Sequence, residues 1–325
     1  MAIVSSISET GSTLPKTSSC TSILHPTVEI PRRHTSSRSQ QIESCTTPWW
    51  LWWNILSLDA PTVAVVWSFV FANASGVRLR PADPIILALT VWVIYISDRL
   101  LDGWVIKNCS SLEERHLFCA RHRGALAWLV VLAAATVLWM TAEYLLPKEA
   151  GAGMKLAAIV GAYMASIHAG RASMARFVPK ELTVGILFAA GITLPVWSQT
   201  LRLSRDMSVS IVLFALLCFL NCLAIEYWEG RPLRHGCGQM WHRSDARNKS
   251  RINWIAGGLV TAALAALLVR LSQGLPGCEL WAVSLAALLT LILNRQTGRI
   301  SVSALRVLAD AALVVAGLVA LMTQV

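Results

Sequence analysis

The stretch PIILALTVWVIYISDRLLDGW, residues 84–104, joins a long apolar run to two acidic residues. The run is close to the length at which a helix crosses the roughly 30 Å hydrocarbon core of a bilayer. Asp98 and Asp102 close it and lie on one helix face, about one turn apart. Like charges at this spacing repel each other unless a cation lies between them. The stretch indicates either a solvated helix end that Arg99 neutralises, or a site that holds a cation.

The composition of the whole chain agrees with a membrane location. Of its 325 residues, 55% are hydrophobic and only 14% are charged. These values exclude an ordinary soluble domain and indicate an integral membrane protein. The net charge of +10 follows the pattern of membrane orientation described below, so nucleic acid is not expected as a partner.

Nine apolar runs follow one another from Trp49 onwards, separated by short polar links. They cover approximately residues 51–73, 84–101, 125–146, 154–168, 182–200, 207–227, 252–271, 278–293 and 302–323. In lipid, such runs must be helical because no water satisfies their backbone groups. We therefore expect residues 48–325 to form an all-α bundle of nine transmembrane helices. Residues 1–47 are rich in Ser and Thr and lack apolar periodicity, so we expect a disordered tail.

The basic residues predict the orientation of this bundle. With nine spans, 21 of the 28 Lys and Arg residues lie in the tail and in the links after spans 2, 4, 6 and 8, when Arg99 and Arg306 at the adjoining helix ends are included. Cytoplasmic segments carry the excess of basic residues. We therefore expect a cytoplasmic N-terminus, an outside C-terminus and, as the location, the bacterial inner membrane.

In this topology, spans 2 and 6 both end at the cytoplasmic face, and each ends in a pair of acids. Span 6 ends in NCLAIEYWEG, residues 221–230, where Glu226 and Glu229 lie three residues apart on one face. Together with Asp98 and Asp102 they provide four carboxylates at one depth. Four carboxylates that face one another would bind a hard divalent cation such as Mg²⁺, which also takes phosphate oxygens as ligands.

Two further acids lie inside predicted spans, where a carboxylate costs at least a few kcal/mol and is a functional candidate by default. Asp59 directly precedes Ala60 and Pro61, so an N-cap-like hydrogen bond at a proline kink competes with a functional role. Asp310 lies four residues after Arg306, and an ion pair between these two is the preferred interpretation.

The link after span 4 is basic and lies beside the proposed cation site. It reads HAGRASMARFVPKE, residues 168–181, and includes His168, Arg171 and Lys180. These side chains would bind a phosphate group. A topology signal is the more usual explanation of such residues, because basic residues flank cytoplasmic helix ends in general.

The acidic ends of spans 2 and 6 give the chain a resemblance to the UbiA superfamily of intramembrane prenyltransferases. IYISDRLLD, residues 94–102, resembles the first motif of that family, NDxxDxxxD, with Ile94 and Tyr95 in place of the leading Asn-Asp. EYWE, residues 226–229, resembles the second motif, DxxxD, with glutamates and a spacing shorter by one. Residues 162–191 resemble the Tyr-containing fourth helix, the basic link and the Lys before helix 5.

The resemblance implies transfer of a prenyl group from a prenyl diphosphate to a lipophilic or aromatic acceptor within membrane lipid. It implies Mg²⁺ as the cofactor, with the following ligands: Asp98, Asp102, Glu226 and Glu229. The implied catalytic residues are Asp98, Asp102, Lys180 and Arg171. The implied substrate-binding residues are Arg99, Tyr95, Tyr163, Asp59 and His168.

Two other functions stay open at this point. A non-catalytic member of the same fold would bind a prenyl lipid, and the altered motifs favour this alternative. A transporter would place ionisable residues near the midplane, in broken helices related by an internal repeat.

Overall fold

The computed structural model describes residues 49–105, 118–119, 121–168, 179–199, 204–230 and 241–323. All named secondary structure in these ranges is helical. The helices are α1 (Trp49–Ile55), α2 (Asp59–Ala74), α3 (Ala82–Val105), α4 (Arg123–Tyr144), α5 (Pro147–His168), α6 (Lys180–Ile192), α7 (Leu194–Gln199), α8 (Arg205–Glu229), α9 (Trp241–Ser272), α10 (Cys278–Arg295) and α11 (Val302–Met322). The predicted disordered tail lies outside the described residues.

Seven of the described helices are long and apolar enough to cross a membrane, namely α3, α4, α5, α8, α9, α10 and α11. The predicted class, an all-α membrane protein, is therefore confirmed. The other two predicted spans are helical but interrupted: residues 51–73 divide into α1 and α2, and residues 182–200 divide into α6 and α7. The count of nine spans stays a prediction.

The two interruptions have local causes. Between α1 and α2, Ser57 adopts a φ of 55°, in the left-handed region that ends a right-handed helix. Arg99 donates hydrogen bonds of 3.0 and 3.1 Å to the carbonyl oxygens of Asn54 and Ile55. These bonds satisfy carbonyl groups that lose their helical partners at the end of α1. Between α6 and α7, Pro195 removes an amide hydrogen from the continuing helix.

Aromatic rings at the centre of the bundle join α2 to α8 and α11. Trp67 and Phe214 have ring centroids 4.4 Å apart, and those of Phe71 and Phe214 are 5.3 Å apart. The indole N–H of Trp67 donates to the carbonyl oxygen of Leu313 over 3.1 Å. The three rings are completely buried, so they supply a large part of the packing contacts that hold these helices together.

Helix α6 lies directly against the backbone of α8. A Cβ atom on Gly185 would lie 2.8 Å from the carbonyl oxygen of Ala215 and 2.9 Å from the amide nitrogen of Phe219. Only glycine permits this approach without a shift of backbone. The contact holds α6, which begins at Lys180, beside the second half of α8.

Helices α4 and α5 lie at the periphery. Among the described residues of α4 only Leu126 is buried, and in α5 only Glu149 is buried. Glu149 forms an ion pair with Arg80, which precedes α3, and this pair anchors the first turn of α5. The rest of α5 is at least partly exposed, so most of its apolar side chains are free to face lipid.

Candidate functional site

One end of the bundle gathers charged side chains from four helices. We call this group the mouth, and it consists of Asp98, Asp102, His168, Lys180 and Glu226. The C-terminal turns of α3, α5 and α8 meet the first turn of α6 there. The opposite end contains the pair Arg80–Glu149 at the starts of α3 and α5, so α3 and α5 run in the same direction.

Asp98, Asp102 and His168 form the most compact part of the mouth. The Nε2 atom of His168 lies 3.8 Å from Oδ1 of Asp98 and 3.4 Å from Oδ1 of Asp102. One oxygen or nitrogen atom from each residue can be chosen so that all three lie within 4.8 Å of one another. A single cation placed among them would therefore reach all three side chains.

The ring of His168 is oriented for this contact by its own helix. Its Nδ1 atom lies 2.9 Å from the carbonyl oxygen of Met164. A carbonyl only accepts, so Nδ1 carries the hydrogen and the neutral ring keeps its lone pair on Nε2. Within the described residues Nε2 makes no hydrogen bond. Metal-binding histidines commonly have this arrangement, in which one nitrogen donates to a carbonyl and the other binds the metal.

Lys180 occupies the centre of the mouth. Its Nζ atom lies 3.0 Å from Oε1 of Glu226 and 3.7 Å from Oε1 of Glu181. It also interacts electrostatically with Asp98. Glu181 and Glu226 also interact with each other, so Lys180 lies between two acidic side chains. Lys180 thus links the acids of α3 to the last turn of α8.

Glu229 faces another part of the bundle. It forms an ion pair with the buried Arg306 on α11, whereas Glu226 pairs with Lys180 on α6. The four predicted magnesium ligands are therefore divided: Asp98 and Asp102 share His168, and each glutamate has a cationic partner. The predicted pair of Arg306 and Asp310 is seen as an electrostatic interaction, while Asp310 accepts a hydrogen bond from Asn221 on α8.

Arg99 and Tyr163, both predicted to bind substrate, make contacts that support the mouth. Arg99 is 7% exposed and its guanidinium holds the end of α1, as described above. The hydroxyl of Tyr163 donates to the backbone carbonyl oxygen of Lys180 over 3.2 Å. This bond ties α5 to the first residue of α6. Roles of these two residues in substrate binding stay predictions.

The remaining predicted site residues lie deeper or outside the described residues. Tyr95, one turn below Asp98, lines a cavity of about 30 Å³. Asp59, the first residue of α2, accepts a hydrogen bond from Asn54 and interacts electrostatically with Asp310. Arg171, predicted to be catalytic, lies in the link 169–178, outside the described residues.

Sequence reasoning assigned His168 to substrate and missed Glu181 and Asn221. The signal for His168 was present, because it ends the predicted fourth span and therefore lies at the same membrane face as Asp98 and Asp102. Glu181 and Asn221 carry no comparable signal, since their partners come from α8 and α11 through packing.

Comparisons with protein-family models, with curated protein sequences and with solved structures gave no match to this chain.

Proposed function

We propose that this chain is a UbiA-like prenyltransferase, which moves a prenyl group from a prenyl diphosphate to a lipophilic or aromatic acceptor. The observation that carries the proposal is the mouth itself, in which an Asp-Asp-His cluster lies beside an exposed lysine at the end of an apolar bundle. A ligand with an anionic head group and an apolar chain matches this site, because the head group suits the charged mouth and the chain suits the apolar bundle.

The donor set of the cluster fits a divalent cation. Two carboxylates are suitable ligands for Mg²⁺, which keeps several waters and takes diphosphate oxygens. The imidazole nitrogen of His168 adds a ligand that Mn²⁺ and Zn²⁺ bind better than Mg²⁺ does. We therefore propose Mg²⁺ or Mn²⁺ held by Asp98, Asp102 and His168, with Glu226 able to join through a diphosphate or water.

The residues of the mouth then have distinct tasks. When bound, the cation would neutralise the diphosphate and stabilise its departure. Lys180 has a side chain that is 60% exposed, so its Nζ can move from Glu226 towards the leaving group and stabilise the charge that develops there. Tyr163 holds the backbone of Lys180 in place. Tyr95 presents its ring one turn below Asp98, where its π face can stabilise an allylic cation.

The prenyl chain would leave the mouth towards lipid beside α5. The cavity under the mouth, at about 30 Å³, is too small for a prenyl chain. Helix α5 is held by Glu149 in its first turn and by Tyr163 and His168 in its last turns, and the side chains between are at least partly exposed. A lateral gap along α5 would therefore admit an apolar chain at little cost in packing.

The cellular setting is part of the proposal. The excess of basic residues in the tail and even-numbered links supports a mouth that faces the cytoplasm. The bacterial inner membrane is the location that we propose.

The experiment measures pyrophosphate release from prenyl diphosphates of several chain lengths, in membranes with and without the protein. We expect release that depends on Mg²⁺ or Mn²⁺ and stops when EDTA is added, together with one new prenylated lipid by mass spectrometry. Retained binding of a prenyl diphosphate without release above that of empty membranes would contradict the transferase and favour the non-catalytic lipid-binding member.

A transporter is the second candidate, and one observation favours it. Two predicted spans are interrupted, and the first interruption, at Ser57, lies next to Asp59 inside the bundle. Transporters often bind ions at such breaks. Ion or proton flux into proteoliposomes that contain the purified chain, without any prenylated product, would support this candidate over the transferase.

A further inference from the structure

A second polar cluster lies beneath the mouth, and the proposed prenyl transfer does not use it. On α6 the cluster begins at Val184, four residues after Lys180. On α11 it begins at Asp310, four residues after Arg306. Four residues of helix correspond to about 6 Å. The cluster is therefore separated from the charged side chains by roughly one helical turn.

Two carboxyl groups from distant parts of the chain meet in this cluster. The carboxyl groups of Asp59 and Asp310 are close enough to interact electrostatically. Asn54 donates to Asp59 over 2.5 Å, and the amide of Asn221 donates to Oδ1 of Asp310 over 2.9 Å. Two ionised carboxylates that share one site repel each other, and a proton on one of them removes this repulsion. The arrangement therefore favours one shared proton.

The cavity of about 30 Å³ lies against this pair. Its polar lining comes from Tyr95, Asn221 and Asp310, and the volume is enough for one or two water molecules. Asn221 is 7% exposed, and its Oδ1 atom has no hydrogen-bond partner within the described residues. A buried acceptor without a donor is costly, and a water in the cavity would supply the missing hydrogen. Asp310 is partly accessible through the same space.

The groups that face the pair leave its proton in place. Arg306 interacts electrostatically with Asp310 but is paired with Glu229. The other titratable groups around the cavity are the hydroxyl of Tyr95 and the thiols of Cys218 and Cys222, whose protonated forms carry no charge. The lining from α2 and α6 is apolar. Arg306 is thus shared between Asp310 and Glu229, and its charge compensates the acid pair only in part.

We propose that Asp59, Asp310 and Asn221 form a proton-binding site, which holds one exchangeable proton and a water beneath the mouth. The proton passes between the carboxyl oxygen and this water. No other reactant is required, because the step only moves a proton from one oxygen to another. The proposal is independent of prenyl transfer and applies equally to a transporter.

The test is infrared spectroscopy of the purified full chain in lipid nanodiscs at near-neutral pH. We expect the carbonyl band of a protonated carboxylic acid in the wild type, and its downshift after transfer to D₂O. In Asp310→Asn and in Asp59→Asn the band should fall to less than half, since the remaining aspartate ionises. Asp206→Asn, at the start of α8, is the matched control and should keep the full band. Circular dichroism shows whether each variant is folded.

The wild-type spectrum alone can overturn the proposal, whether or not the variants fold. Absence of the band, or a band that does not shift in D₂O, would contradict an exchangeable proton. A band that disappears on addition of Na⁺ or Mg²⁺ would assign the site to a metal cation instead. Asn221→Ala should keep the band and change its frequency, because the bond from the amide to Asp310 is lost.

Discussion

Lys180 and Glu226 join the start of α6 to the last turn of α8, with Nζ and Oε1 3.0 Å apart. The pair is partly exposed, so it contributes about 0–1 kcal/mol to stability. The position of the pair matters more than its contribution to stability, because Lys180 also interacts with Asp98. The mouth depends on this lysine to keep three carboxyl groups together.

Lys180→Met should therefore change activity much more than stability. We expect pyrophosphate release to fall by on the order of tenfold to a hundredfold, since a charge that stabilises the leaving group is lost. Lys180→Arg, which keeps the charge, should retain more activity. Thermal unfolding in detergent is the parallel measurement. A large loss of stability in Lys180→Met with unchanged release per folded molecule would show that the lysine is structural.

Gly185→Ala tests the packing that places Lys180. The added Cβ would meet the backbone of α8 at Ala215 and Phe219, so we expect a destabilisation of about 1–3 kcal/mol. Gly258→Ala, in α9, is the matched control because no atom lies within 4 Å of its added Cβ. That change should be neutral or stabilising by up to about 1 kcal/mol. Equal thermal unfolding of the two variants would contradict the close approach of α6 and α8.

The orientation of the chain can be tested without knowledge of its activity. We expect a reporter that is active only in the cytoplasm to stay silent when it is fused after Val325, because nine spans place the two termini on opposite sides. The same reporter fused before residue 1 should be active. Strong activity at both ends would indicate an even number of spans, and would contradict the position of the C-terminus that the basic residues predict.

Much of this fold was accessible from the sequence because it depends on local composition. Each of the nine apolar runs is helical. Asp98 and Asp102 both contact His168, as their i, i+4 spacing on one helix face predicts. The interruption at Ser57 was not accessible. It depends on a left-handed backbone conformation and on Arg99, which reaches the end of α1 from another helix.

The partners of the acids were the harder part. Spacing along α11 favours Arg306 with Asp310, but Arg306 also meets Glu229 on α8, and Asp310 meets Asp59 on α2. Contacts between helices that are distant in sequence are decided by packing, for which one sequence holds no direct signal. For the same reason the sequence placed His168 at the same end of the bundle as Asp98 and Asp102 but did not predict its contact with them.

His168→Gln separates a metal ligand from a residue that only contacts substrate. We expect the affinity of the purified protein for Mn²⁺, measured by electron paramagnetic resonance, to fall by on the order of ten- to a hundredfold. His122→Gln, which changes an exposed histidine next to α4, is the matched control and should bind Mn²⁺ as the wild type does. Unchanged Mn²⁺ affinity in His168→Gln would show that His168 does not bind the metal together with the two aspartates.

Asp98→Asn tests the chemistry of the mouth most directly. The amide keeps the size of the side chain but removes the charge that would hold the cation next to His168. If the cation acts on the departing diphosphate, the transition state loses several kcal/mol of stabilisation, while the prenyl chain still binds through apolar contacts. Turnover should then fall by on the order of a hundredfold or more, since each ~1.4 kcal/mol is a factor of ten.

The control for Asp98→Asn is Asp206→Asn, in the first turn of α8 and outside the mouth, which should leave turnover unchanged. Binding of a prenyl diphosphate to each variant separates loss of chemistry from loss of substrate. If Asp98→Asn and the wild type released pyrophosphate at the same rate above empty membranes, the cation would not act through Asp98. If the wild type and Asp98→Asn both bound the prenyl diphosphate but released no pyrophosphate, the protein would be a lipid binder. The mouth would then hold the diphosphate head group without breaking the bond between the diphosphate and the prenyl chain.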